Sequence, residues 1–126
     1  MKSTSLVITY DVGTTGIKSC LFEIGETIRL VSSAIEGYSM RVLEYRGLEQ
    51  DPYEWWQAMC STTRELLKNT GVDPSQIKGI SFCSQMQGLV LVDETGEPVR
   101  PAMSYMDQRA QEELKKGLAY GIQIAG

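Results

Sequence analysis

The chain predicts an α/β unit built as a three-strand meander, a crossover helix and a further strand, and three observations carry that expectation. Short apolar runs separated by tight turns fill residues 1–35. A long amphipathic segment follows, opened by Asp51-Pro52 and closed by Gly71. Beyond it lies a short apolar run at 77–83, bounded by turn-forming residues.

Leu6–Tyr10 reads as the first strand and Ile17–Ile24 as the second. Alternation in the second is imperfect, which suits a strand covered on both faces. Thr27–Ile35 continues as a third strand after the turn "IGET", giving an antiparallel meander rather than a dinucleotide fold. Asp51 is placed to cap a helix with Pro52 at its first position, where the missing N–H does no harm. That helix is expected to run to about Asn69, with Trp56, Met59, Cys60, Thr63, Leu66 and Leu67 on one apolar face and Gly71 as its stop. Ile77–Cys83 has the apolar composition of a strand in the middle of a sheet. Gly88–Val92 and Pro98–Met103 form an expected hairpin around "DETGE". A last helix is expected from Asp107, with Ala110, Leu114 and Leu118 in register and a Glu112–Lys116 pair on its solvated side.

Composition narrows the function. The 126 residues are 42% hydrophobic, enough for the core of one ordinary domain. Twelve basic against sixteen acidic side chains leave a net charge of −4, so neither nucleic acid nor an anionic membrane surface is an expected partner. The start holds one lysine and an apolar run of only Leu6–Ile8, far short of a signal-peptide core or membrane span, and a cytoplasmic location is expected. Cys20, Cys60 and Cys83 are odd in number and set among apolar neighbours, which favours buried free thiols over a disulfide frame. With no histidine, the sequence holds no Ser/His/Asp or Cys/His triad and no His-bearing zinc site.

The stretch from Asp11 to Lys18 is the first chemical candidate. Gly13-Thr14-Thr15-Gly16 after a strand offers backbone N–H groups and hydroxyls that can surround phosphate oxygens, because a glycine-bearing turn allows close approach. The Asp11 carboxylate could hold Mg²⁺ through water, and Lys18 adds positive charge. The spacing is not that of a Walker A loop. A plain hairpin, with Asp11 capping the turn, accounts for the same residues equally well. An unpaired buried carboxylate costs several kcal/mol, so Asp11 requires a metal, donors or solvent under either account.

Three stretches together go further. "DVGTTGIKS", "EQDPYEWW" and "SQMQGLVLVDETGEPVRPAMSYMDQR", in this order, resemble the start of the FGGY carbohydrate kinases, most nearly the xylulose kinase branch. The resemblance covers almost the whole chain. It implies a ribonuclease H-like domain of the actin and sugar-kinase superfamily, a mixed sheet with helices, of which residues 1–126 would be the N-terminal part of an incomplete first domain. It also implies ATP and Mg²⁺ as cofactors and a sugar or polyol, a xylulose-like ketose favoured, as substrate. Gly13, Thr14 and Thr15 look like the family's first phosphate loop, Asp11 like its metal-side aspartate, and Lys18 like its basic residue near the ATP phosphates. Met86 and Gln87 fall on the substrate segment, and Asp107 and Arg109 match an Asp-x-Arg beside the sugar pocket. Gln87 stands where xylulose kinases typically carry histidine, and Tyr105-Met106 where Trp-Asn often precedes the aspartate. A glutamine still offers a donor and an acceptor but cannot change charge near neutral pH.

The family's general base and adenine site lie downstream of this stretch, so the fragment alone is expected to be inactive, to leave an apolar surface and to associate, a homodimer being one such form. Two other classes stay open: a non-catalytic nucleotide-binding module like those of actin and Hsp70, and a small partner-binding domain with an open sheet edge. Bland roles also stand beside the functional ones. Trp55 and Trp56 suit helix packing, Met86 a core position, and Asp107 a helix cap.

Overall fold

The structure, a computed structural model, describes residues 4–117. β1 (Ser5–Val12), β2 (Gly16–Ile24) and β3 (Ile28–Gly37) form the expected antiparallel meander. β4 (Arg41–Leu43) and β5 (Gly47–Gln50) precede α1 (Pro52–Thr70), which crosses over to β6 (Ile77–Ser84). β6 returns parallel to β1, giving the mixed order β3-β2-β1-β6. β7 (Ala102–Met103) closes a second, antiparallel sheet of order β4-β5-β7, and α2 (Gln111–Lys115) follows. The Gly88–Met103 hairpin is present as two bridges, Val92 to Pro98 and Leu89 to Met103, around a turn with Gly96 at φ 89°.

The helix start was legible in two residues. Asp51 accepts from the Tyr53 N–H at 2.9 Å, Pro52 takes the first position, and Gly71 closes the helix in the left-handed region at φ 67°. One face of the main sheet buries Ile8, Tyr10, Ile17 and Leu21 against Ala58 and Leu66 of α1. A polar seam runs inside this contact. Thr62 donates to the Ala58 carbonyl at 2.8 Å and meets the Ser19 hydroxyl at 2.7 Å, while Thr63 donates to Met59 at 2.7 Å and meets the Tyr10 hydroxyl at 2.7 Å. Each threonine hydroxyl spends its proton on the helix and so accepts from the sheet, which fixes the rotation of α1.

Several expectations give way here. The buried face of α1 is Ala58, Thr62 and Leu66, a rotation away from the predicted stripe, and Trp56 is exposed because the helix lies over β3 and β2. Among the described residues Ile77–Cys83, as β6, lies at the edge of the main sheet, and Ile80 and Phe82 stay exposed along a groove shared with Trp56, Met59 and Cys60 of α1. The cysteines are free but not buried; Cys83 is exposed and Cys20 and Cys60 are half-buried. Met86 is exposed rather than core. Asp107 caps no helix, since α2 begins only at Gln111, and Glu112 pairs with Lys115 at 2.7 Å rather than with Lys116. Leu118, expected in that helix, lies outside the described residues.

The buried hydroxyl pair gives a test of this packing. Ser19 and Thr62 have no exposed surface, so Thr62→Val, which leaves the Ser19 hydroxyl without its partner, should cost about 1–3 kcal/mol in urea unfolding. Adding Ser19→Ala should restore much of the loss, and a double variant no more stable than the single one would contradict the seam.

Candidate functional site

The turn between β1 and β2 is held from one side. Its Gly13 N–H closes on the Gly16 carbonyl at 3.0 Å, and the Tyr38 N–H takes the Thr15 carbonyl at 3.2 Å. The Tyr38 hydroxyl reaches the carbonyls of Gly13 and, at 3.0 Å, Gly16, while Gln50 Nε2 donates to the Thr14 carbonyl at 2.8 Å. All four turn carbonyls therefore face protein donors. The peptide bonds are trans, and in a trans peptide the N–H points opposite to the carbonyl. The N–H groups of Thr14 and Thr15 accordingly turn away from these donors, where an anion can meet them. Gly16 is required by the close passage of β3, since a Cβ there would lie 2.6 Å from the Glu36 carbonyl oxygen.

β1 extends two residues past its expected end, which places Asp11 within the strand rather than in the turn. Register sets it opposite Lys18 on β2 and Cys83 on β6, on the sheet face away from α1. Asp11 is exposed and answers its solvation need there. A hydrogen bond to Asp11, with burial and the carboxylate charge, raises the Cys83 thiol above its ordinary value. Burial and the charge of Asp11 likewise raise the Tyr38 hydroxyl, which keeps it a donor to the turn. Outward N–H groups, two exposed or half-exposed threonines and one lysine fit a phosphate. Among the described residues no cluster of three acidic or thiol side chains exists, so Asp11 fits Mg²⁺ only as a single carboxylate acting with water and phosphate oxygens.

Beside the turn opens a cavity of about 220 Å³. Val12, Val90, Ala102 and Met103 make it largely apolar, and Gln50, Trp55, Gln85 and Gln87 bring polar groups to it. Gln87 holds the left-handed backbone at φ 65°, a conformation that costs a non-glycine residue about 1–2 kcal/mol and that recurs at ligand sites. Met86 does not line this cavity.

Asp107 and Arg109 are brought together, but against β5 rather than into the cavity. Asp107 accepts from the Leu48 N–H at 2.8 Å, and Arg109 bridges Asp107 and Glu49, both at 2.8 Å, with Arg100 on the same Glu49 oxygen, Oε1. The Arg109 guanidinium holds the Asp107 carboxyl down, from 3.8 to about 2, against the opposing effect of burial, and Arg109 is itself raised. Glu49 is lowered, first by its hydrogen bond to Arg109 and, after the opposing effect of burial, by Arg100. Tyr38, Gln50 and Gln85 carry the site's geometry and were not anticipated from sequence. Nothing local marks them, because each acts through a partner more than twenty residues away.

A mixed sheet with this crossover, an anion-receptive turn and an adjoining small-molecule cavity define part of a domain of the actin-like ATPase fold. The chain belongs to the FGGY family of carbohydrate kinases, whose N-terminal domain matches residues 6–122. It is 39% identical over 106 residues to xylulose kinase of Staphylococcus epidermidis, a match that takes in 82% of this chain and 21% of that relative. It superimposes on gluconate kinase from Lactobacillus acidophilus with a TM-score of 0.80 and 26% identity, over 94% of its own length and 23% of the other chain. Ligand-bound xylulose kinase from the same organism gives a TM-score of 0.80 and 26% identity over 93% and 23%. The chain thus spans between a fifth and a quarter of the length of these relatives.

Folding lowers the Asp107 acid, so on acidification the unfolded chain takes up that proton first. The stability that ionised Asp107 contributes should be complete above 3.8, begin to fall below it and be gone once the pH drops through about 2. The difference in urea midpoint between wild type and Asp107→Asn should be largest near neutrality and close across that window. A difference independent of pH would contradict the ion pair.

Proposed function

We propose that the whole protein phosphorylates a sugar or polyol at the expense of ATP, a xylulose-like ketose being the favoured substrate. This stretch would supply the first phosphate turn and one wall of the sugar pocket. The observation that carries the reading is the turn whose carbonyls are all engaged from the protein side, set beside an open cavity, in a chain of the FGGY family. Relatives that include both a xylulose and a gluconate kinase support the class of substrate more strongly than any one sugar.

Mg-ATP would bring the transferable phosphoryl group and cationic neutralisation of its charge. The chain's own part is positioning and electrostatics, the dominant contributions in phosphoryl transfer. The N–H groups of Thr14 and Thr15 would hold phosphate oxygens, Lys18 would add positive charge, and Asp11 would orient a hydrated cation. Gln87 would meet a substrate hydroxyl as donor or acceptor. Asp107 and Arg109 would support the pocket from behind, by tying the segment after β7 to β5. Met86, exposed as it is, would contact substrate only at the pocket's rim.

Two measurements test these roles. In the full-length protein, Asp11→Asn should lower kcat by about 10- to 100-fold with little change in sugar KM. Gln87→Ala should raise sugar KM by about tenfold and leave ATP KM unchanged. Both variants matching the wild type would overturn the assignments. The isolated 126 residues, offered ATP and a panel of ketoses and polyols, should form no sugar phosphate, because a missing general base alone costs about 10²–10⁴ in rate.

A further inference from the structure

A single amide joins the phosphate turn to the wall of the cavity. Gln50, at the end of β5, is 2% exposed and belongs to the cavity lining. Its nitrogen donates to the Thr14 carbonyl at 2.8 Å and, at the limit of a hydrogen bond, to the Ser39 carbonyl at 3.5 Å. Its oxygen accepts from Gln85 Nε2 at 3.1 Å, and Gln85 is itself part of the wall.

The orientation of that amide is forced. A carbonyl can only accept, so the end of Gln50 that meets Thr14 and Ser39 is the nitrogen and the end that meets Gln85 is the oxygen. Stability alone is a weak reason for an amide at this position, since a buried neutral hydrogen bond contributes about 0.5–1.5 kcal/mol net. Aim is a stronger one. The Thr14 carbonyl and the Thr15 N–H share one rigid peptide plane, so the bond from Gln50 to the carbonyl also directs that N–H. Tyr38 does the same one peptide earlier: its hydroxyl takes the Gly13 carbonyl, whose plane carries the Thr14 N–H. Unlike Gln50, Tyr38 does not line the cavity.

We propose that Gln50 is a positioning residue shared by both substrates, and that Tyr38 is a positioning residue for the phosphate turn alone. Through its nitrogen Gln50 aims the Thr15 N–H at phosphate; through its oxygen it holds the Gln85 side chain in the wall of the sugar cavity. It touches neither substrate in this role. A displacement of about 1 Å between reacting groups can cost about 100-fold in rate, and one amide bonded to both sides keeps their separation fixed. The proposal rests on the sugar-kinase reading and adds to it the residue that ties the two halves of the site together.

The test uses the full-length protein with Mg-ATP and whichever of D-xylulose and D-gluconate it turns over. Tyr38→Phe, which keeps the ring and removes the hydroxyl, should raise ATP KM by about three- to tenfold, the worth of one neutral hydrogen bond, and leave sugar KM within about twofold. Gln85→Met should do the reverse. Gln50→Met should raise both KM values by about three- to tenfold each. A merely structural role would lower the amount of folded enzyme, and with it the apparent kcat, without moving either KM. If Gln50→Met does not fold, the double variant Gln50→Met/Gln85→Met, which leaves no orphaned Gln85 nitrogen, stands in: its ATP KM should exceed that of Gln85→Met by the same factor. A Gln50 variant that moves neither KM or only one, or a Tyr38→Phe variant that moves sugar KM as far as ATP KM, overturns the shared role and leaves the kinase reading standing. A wild type that turns over no ketose or polyol overturns the kinase reading and this proposal with it.

Discussion

The site depends on a requirement at four backbone carbonyls. A turn between two strands has polar groups that the sheet ladder cannot pair, and each must find a donor or water. Here every carbonyl from Gly13 to Gly16 finds a protein donor, and the donors come from far away in the chain: Tyr38, just past β3, and Gln50, at the end of β5. The small sheet is what brings Gln50 to the turn. β5 is pinned between β4 and β7, so the amide that receives the Thr14 carbonyl is set on regular structure rather than on a loop. The outward set of the N–H groups is then a consequence of peptide planarity and needs no further device.

Local chemistry was readable in the sequence and long-range chemistry was not. The meander, the Asp51-Pro52 helix start and the Gly71 stop are decided by neighbouring residues, and they stand where the sequence places them. The second sheet went unseen because its strands are too short for an alternating pattern to build up and because β7 joins β5 from the far side of α1 and β6. The face of α1 shows the limit in another way. Trp56 and Cys60 lie on the apolar stripe by composition, yet burial is settled by where the sheet lies, and Ser19 and Tyr10 fix the helix through Thr62 and Thr63.

β6 makes the same point for a strand. Its residues read as a strand in the middle of a sheet, and among the described residues Ile80 and Phe82 remain exposed at the sheet edge, the Tyr10 ring stacked on Phe82 at 5.3 Å. Composition records what a strand is suited to contact, whereas the described residues show only what reaches it. The candidate site divides similarly. Asp11 and the turn were visible as residue types at a recognisable spacing; Gln87, Asp107 and Arg109 were marked only by the family resemblance, and the partners of the last two lie on β5, which only the folded chain brings near.

One hydrogen-bonded route therefore leads from the cavity lining to the turn, through Gln85 and Gln50, and a ring contact between Trp55 and Tyr38 runs beside it. Transfer between two bound molecules depends on holding both within a fraction of an ångström, and parts fixed to a common rigid frame meet that demand better than parts on separate loops. The frame here is the closed accounting of hydrogen bonds around the turn. A change at Gln50 would disturb the Gln85 side chain and the Thr14 carbonyl at once, because the same amide serves both. Distance between the two halves of the site is thus spanned by groups whose polarity is forced in sequence, beginning from a carbonyl that can do nothing but accept.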